Sequence, residues 1–479
     1  MKIAMIASEA SPFIKSGGLG DVLGSLPKAL QREKQKCFVI LPKYKDLAPI
    51  ENLSFITSFF VWVGWRKQYC GVFETKIAGV TFYFIDNEQY FKREGLYGYD
   101  DDYERFAFYN LAAMELIGHL KIQPDIIHLH DWQTSMIALL YKEKYYRYPY
   151  YENIKIIFTI HNIAYQGKGN PIILEDIFGL DIKKFDIRNC LHDGCLNMMK
   201  TAIVYSDVIT TVSPTYAKGI LTKEFGEGLE SILQLRKNDI FGIINGIDTE
   251  YINPKTNIDI VENYDGRNFY YKKSNNKIAL QKECLLPVNK DIACIGMVTR
   301  LTWQKGINLI INKIEELLNR EIQIFILGAG EYQYEQQLLY LQKQYPNQLS
   351  YHQKYDEKLA QRIYASCDIF LMPSLFEPCG LSQMMAMRYG TIPIVREIGG
   401  LKDSIEAYNA YEQTGNGFRF INYDGNEMLS IIDMALSVYY DDKKVWKKIM
   451  RSAMQSDFSW KHSAKEYISL YQKLINKER

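Results

Sequence analysis

In the stretch SPFIKSGGLGDVLGSL, Ser11 to Leu26, Lys15 precedes Ser16, Gly17, Gly18 and Gly20, and Asp21 opens an amphipathic segment. Glycines allow a backbone to approach a ligand closely, and a helix N-terminus behind them attracts anions. Farther along, HLHDW supplies His128, His130, Asp131 and Trp132, while HNIAYQG supplies His161, Asn162 and Tyr165. MVTRLTWQKG places Arg300 and Lys305 behind another apolar run, and PSLFEPCGLSQ carries Glu377, Cys379, Gly380, Leu381 and Ser382. Two cations so placed call for an anionic partner. With Lys15 opposite, they would cage a diphosphate without a metal. At an effective dielectric near 20, each contact at ~4 Å is worth about 4 kcal/mol before desolvation. Charge grows on a diphosphate as its bond to a sugar breaks, so part of that attraction is realised only in the transition state.

Other chemistries fit less well. After Gly18-Leu-Gly20 the next glycine is Gly24, four positions on, where a dinucleotide fingerprint needs three; Gly328-Ala-Gly330 fails at Gln333. Hydride transfer is therefore disfavoured, and no cofactor is expected. His128 and His130 alternate with leucine and share one side of a strand's end, but no third clustered ligand joins them, so no metal site is expected. Asp100 and Asp102 form a D-x-D in a Gly/Tyr-rich turn ahead of a helix, where carboxylates serve as caps and dipole partners.

These residues need a scaffold. The 479 residues exceed one ordinary core, which points to two domains. A net charge of +1 argues against nucleic acid or an anionic membrane as partner. Eight cysteines with no C-x-x-C pair suit free thiols in a reducing compartment. The N-terminal apolar run meets Glu9 too early for a signal peptide, and no run approaches the roughly 20 residues of a membrane helix. A soluble cytoplasmic protein is expected.

Apolar runs alternate with amphipathic stretches in both halves, the pattern of α/β doubly wound domains. The clearest are Ile3–Ala7, Cys37–Leu41, Ile126–Leu129, Ile154–Ile160 and Val208–Val212, then Ile292–Val298, Ile322–Leu327, Ile369–Met372 and Thr391–Val395. FGIINGIDTEYINP, Phe241 to Pro254, reads as a hinge. The polar stretch after it, residues 255–277, reads as turn-rich. Residues 1–246 and 247–456 are expected as two Rossmann-like domains facing a central cleft. A C-terminal helix over 457–479 would cross back to the first. Ligands of open α/β sheets bind at the carboxyl ends of the strands, where these motifs fall.

The motifs KSGGLGDV, HDW, HNIAYQG, INGID, RLTWQKG and SLFEPCGLSQMMAMRYGTIPIV occur in this order, and the chain resembles the bacterial glycogen synthases and plant starch synthases over essentially its whole length. That resemblance implies a retaining glycosyltransferase of the type B fold, moving glucose from ADP-glucose to the non-reducing end of an α-1,4-glucan such as glycogen. It implies that Lys15, Gly17 and Gly18 line the donor, and that Arg300 and Lys305 bind its phosphates. Glu377 would accept bonds from glucose hydroxyls, and backbone amides from Cys379 and Gly380 through Leu381 to Ser382 would hold sugar and phosphate. His161 would sit beside the anomeric carbon, acting through its carbonyl or its imidazole. Asn162 and Asn245 would add polar contacts, Tyr355 would stack on the base, and Asp131 and Tyr97 would serve the acceptor. Ser16 stands where the family usually has Thr, which keeps the hydroxyl.

Neither Asp131 nor Glu377 is placed by its motif behind an anomeric carbon, so the expected mechanism uses the departing phosphate as the base, with no covalent intermediate. Two other classes share the architecture. A glucan phosphorylase would need pyridoxal phosphate on a lysine. A non-catalytic glucan-binding protein would have no use for Arg300, Lys305 and Glu377 together.

Overall fold

Strands that read as unbroken apolar runs belong inside a parallel sheet covered on both faces. The computed structural model, which describes residues 1–48, 50–354 and 356–476, contains two such sheets. Each lies in its own compact unit: one is Ile247–Ser459, and the other takes Met1–Gly246 together with the segment from Trp460 onward.

The first unit holds β1 (Lys2–Ile6), β2 (Lys36–Pro42), β3 (Ser54–Val63), β4 (Arg66–Ile77), β5 (Val80–Asp86), β6 (Ile126–His130), β7 (Lys155–Ile160), β8 (Val208–Thr211) and β9 (Ile240–Gly242). Their order is β9-β8-β7-β6-β1-β2-β5-β4-β3. Pairing is parallel from β9 to β5 and antiparallel from β5 to β3. The chain builds outward from β1 in one direction and then from β6 in the other. The switch point therefore falls between β1 and β6, where an α/β sheet opens a crevice at its carboxyl ends.

The antiparallel β3–β5 extension escaped the search for apolar runs. Along β3, Phe59, Val61 and Val63 are buried while Phe60 and Trp62 are exposed, the alternation of a sheet covered on one face. Gly64, at φ +59°, begins the two-residue link from Val63 to Arg66. His128 and His130 lie within β6 rather than beyond it.

α1 (Gly18–Arg32) follows β1, and α2 (Asp102–His119) precedes β6. Asp102 does not cap α2. It ion-pairs with the buried Arg105 and accepts the backbone N–H groups of Gly98 and Tyr99, while Asp101 binds Arg93.

The second unit holds β10 (Ala293–Val298), β11 (Ile322–Leu327), β12 (Leu349–His352), β13 (Ile369–Met372), β14 (Ile392–Arg396) and β15 (Phe418–Phe420). They form an all-parallel sheet in the order β12-β11-β10-β13-β14-β15. Its switch point lies between β10 and β13.

The stretch read as turn-rich enters α3 (Phe269–Glu283). Its helical signal is hidden because the buried face is polar: Lys273, Asn276, Lys277 and Gln281 all point inward. Lys277 pairs with Asp368 at 2.6 Å, and Lys273 donates to the carbonyls of Tyr364 and Ala365 and to the Thr391 hydroxyl. Burial pushes the Lys273 ammonium down to about 7. Farther along the chain come the short α4 (Ser382–Arg388) and the longer α5 (Trp460–Asn476). The apolar face of α5, from Trp460 through Tyr467 and Tyr471 to Leu474, joins the core of the first unit with Ile3, Val22 and Leu26. Each such side chain contributes about 1.5–3 kcal/mol by burial.

Candidate functional site

The loop after β1 lies along the start of α1 because two glycines admit it. A Cβ at Gly20 would collide with Lys15, and one at Gly24 would lie 2.6 Å from the Ser11 carbonyl oxygen. Ser11 N–H donates to the Gly20 carbonyl at 2.8 Å. Gly17, the N-cap of α1, is extended, and a Cβ there would meet no heavy atom within 4 Å. Lys15 Nζ is 3.2 Å from Asp21 Oδ1. Beneath the loop sits Glu9, 3% exposed, whose carboxylate accepts the Ser16 backbone N–H. Burial raises that carboxyl to about 7, against the pull of this bond. Glu9 was not among the sequence candidates. The signal available was a carboxylate two residues beyond the apolar run Ile3–Ala7.

Across the switch point, the carboxyl ends of β6 and β7 bring three imidazoles together. The rings of His128 and His130 lie with centroids 4.2 Å apart at a tilt of 32°, and His130 Nδ1 is 3.0 Å from His161 Nε2. His128 bonds the Tyr471 hydroxyl at 2.9 Å and the Thr159 hydroxyl at 2.6 Å. Burial pulls His128 and His161 down to about 3 and His130 well below its ordinary value, so all three are neutral near pH 7.

Asp131 turns the chain with φ +57° and ψ −179°, a region otherwise left to glycine. Its own carboxylate secures that turn. Oδ1 accepts the His161 backbone N–H at 2.8 Å, the Asn162 N–H also points to this group, and Asp131 N–H donates to the Thr159 carbonyl. The carboxyl is pushed up to about 7 by burial. Asp131 thus ties the loop after β7 to the loop after β6 and holds His161 in place. Tyr97 is half-buried, with its hydroxyl 2.7 Å from Ser8 Oγ. Asn162 bonds the Ala164 N–H, and the buried Asn245 Oδ1 finds no partner among the described residues. Tyr355 lies outside the described residues.

In the second unit the loops after β10 and β13 are zipped together. Leu375 and Phe376 donate backbone N–H groups to the Gln304 carbonyl, and Gly306, at φ +72°, passes so close to the Pro373 carbonyl that a Cβ would clash. This brings Lys305 Nζ to 2.6 Å from Glu377 Oε2, with Ser374 Oγ donating to the same oxygen at 3.3 Å. Glu377 is 5% exposed. Gly399, at φ +46°, and Gly400 brace this loop from β14 at the carbonyls of Glu377 and Cys379, with no room for side chains.

Arg300 is exposed, and its guanidinium has no ion-pair partner among the described residues. The LGAG glycines fit against its loop: a Cβ at Gly328 or Gly330 would strike the carbonyl of Thr299 or Leu301. Cys379 is buried, Gly380 turns at φ +73°, and Leu381 and Ser382 start α4. Gln383 clamps this turn, donating to the carbonyls of Cys379 and Gly380 and to Ser404.

The family model for the starch synthase catalytic domain matches residues 2–235, and the model for glycosyl transferases group 1 matches residues 285–449. The chain is 50% identical over 477 residues to a glycogen synthase of Clostridium botulinum strain Alaska E43, covering 99% of each. It is 48% identical to a glycogen synthase of Clostridium beijerinckii, covering 100% of each. Among solved structures it matches the catalytic domain of Starch Synthase IV from Arabidopsis thaliana, bound to ADP and acarbose, with TM-score 0.93 and 35% identity over 99% of each chain. A sucrose-phosphate synthase from Thermosynechococcus elongatus, at 15% identity and TM-score 0.63 over 99% of this chain and 98% of that one, shares the fold.

Proposed function

The chain belongs to the glycogen and starch synthase family of glycosyltransferases, with the type B fold, and on that footing we propose that its donor is ADP-glucose and its acceptor the non-reducing end of an α-1,4-glucan, glycogen above all. The chain carries no helix long and apolar enough to cross a membrane among its described residues, and the proposed setting is the cytoplasm. The observation that carries the reading is the Lys305–Glu377 pair at the second unit's switch point, with Arg300 exposed on the same loop after β10 as Lys305. A buried carboxylate holding an ammonium in place leaves the rest of that ammonium's donors for a phosphate, and leaves the other carboxylate oxygen for a sugar hydroxyl.

In this reading Arg300 and Lys305 of the second unit hold the donor's diphosphate, and Lys15, Gly17 and Gly18 are the donor-binding residues of the first unit. Glu377 and the amides from Cys379 to Ser382 orient the glucose, and Asn162 and Asn245 add polar contacts. His161 stands next to the anomeric carbon, and Asp131 and Tyr97 line the acceptor. The anomeric carbon's bond to phosphate oxygen breaks as its bond to the acceptor oxygen forms on the same face. The acceptor's proton passes to the departing phosphate, so configuration is retained without a glucosyl-enzyme. Cations that strengthen their hold as the phosphate gains charge lower this barrier.

The test is nucleotide release during glucan extension. Incubation with glycogen and either ADP-glucose or UDP-glucose should yield ADP with glucan growth from the first and far less from the second. Binding of glycogen with no ADP release would overturn the reading in favour of a glucan-binding protein.

A further inference from the structure

The contact between His130 and His161 can be drawn in two ways. Either His130 Nδ1 carries the proton and donates to His161 Nε2, or His161 Nε2 carries it and donates to His130 Nδ1. The other end of His130 decides between them. Its Nε2 is sealed from solvent and has no hydrogen-bond partner among the described residues. Both nitrogens of the neighbouring His128 are committed, to Tyr471 and Thr159, and offer it nothing.

If His161 were the donor, a neutral His130 would carry its proton on Nε2 and bury an N–H with no acceptor. Orphaned buried N–H groups are the rarer and costlier defect; an unfilled lone pair is tolerated more often. A protonated, charged form of the pair is disfavoured by burial among three clustered imidazoles.

We propose that His130 is a positioning residue that donates from Nδ1 to His161 Nε2 and thereby locks His161 as the Nδ1–H tautomer. The His161 imidazole then presents a hydrogen-bond donor, not a base, through the one ring nitrogen that has no partner among the described residues. This narrows the role given above to His161 and rests on it: a donor beside the sugar suits a hydroxyl oxygen or a glycosidic oxygen gaining charge, and cannot abstract the acceptor's proton. His128 serves the lock from below. Anchored at both ends, it packs against the His130 ring at a centroid distance of 4.2 Å and limits its rotation.

The test starts with the intact chain carrying 15N-labelled histidine, in long-range proton–nitrogen spectra, with the His161 signals identified by their loss in His161→Gln. The expected pattern is a protonated Nδ1 and an unprotonated Nε2 on His161 from pH 6 to 8. A protonated Nε2 overturns the proposal. Two variants then separate tautomer control from packing. Asn at 130 keeps a donor where Nδ1 lies, whereas Leu keeps the bulk and loses the donor. His130→Leu should release His161 into a mixture of tautomers and lower kcat about tenfold or more, with His130→Asn recovering most of it. Equal losses in both variants with an unchanged His161 pattern would leave His130 a packing residue and overturn the proposal. A protonated Nδ1 combined with a fully active His161→Gln would support the lock and defeat the catalytic placement of His161 instead.

Discussion

Lys305 and Glu377, 72 residues apart, meet at 2.6 Å at the carboxyl ends of two adjacent strands of the second sheet. Lys305→Ala should lower turnover by about 10²–10³, the scale of losing one preorganised transition-state donor. It should also destabilise by about 3–5 kcal/mol, because a buried carboxylate loses its partner. Adding Glu377→Gln should restore the melting temperature without restoring turnover. Kinetics and thermal melts of the single and double variants check both halves; a loss of activity under threefold would remove Lys305 from the site.

Arg300 is predicted to behave differently. It is exposed and has no ion-pair partner among the described residues, so Arg300→Ala should leave stability within about 0.5 kcal/mol. A charge-assisted bond to phosphate is worth about 1.5–3 kcal/mol, so kcat/KM for the donor should fall about 10- to 100-fold. Steady-state kinetics beside a thermal melt would separate the two effects.

Much of this was legible in the sequence. The central parallel strands of both sheets announced themselves as apolar runs, whereas the short strands β9, β12 and β15, of three or four residues each, did not. The β3–β5 extension did not, because its strands are half-exposed. α3 did not either, because its buried face carries lysines satisfied by Asp368, Thr391 and backbone carbonyls far away in sequence. Glu9 was missed for a related reason: only the folded chain shows that the Ser16 N–H comes back to meet it. Likewise, the i, i+2 spacing of His128 and His130 was visible, but their convergence with His161 depends on β6 pairing with β7.

The histidine cluster should make the first unit acid-labile. The folded values of His128, His130 and His161 lie far below 6.5, so the unfolded chain binds protons first as pH falls. The stability they contribute is intact above about pH 6.5 and drains away toward pH 3, each at up to about 1.4 kcal/mol per pH unit. Melts from pH 7.5 to 4 should show a decline that is shallower in His128→Gln. A decline of equal slope in that variant would mean that His128 titrates normally.

Glu9 works in the opposite sense. Its folded value of about 7 exceeds the ordinary 4.5, so the folded chain binds the extra proton between those limits and stability falls as pH rises through that window. Glu9→Gln should therefore raise the melting temperature at pH 8 relative to the parent, and the gain should vanish near pH 4. No difference between the two pH values would place the Glu9 carboxylate in water.

The central proposal is that the chain's own cations, Arg300 and Lys305 foremost, carry the charge of the departing nucleotide. The most direct measurement follows radiolabelled glucose from ADP-glucose into glycogen after exhaustive removal of divalent ions. The account predicts undiminished incorporation with a chelator present. Incorporation that stops, and returns only with magnesium or manganese, would contradict it.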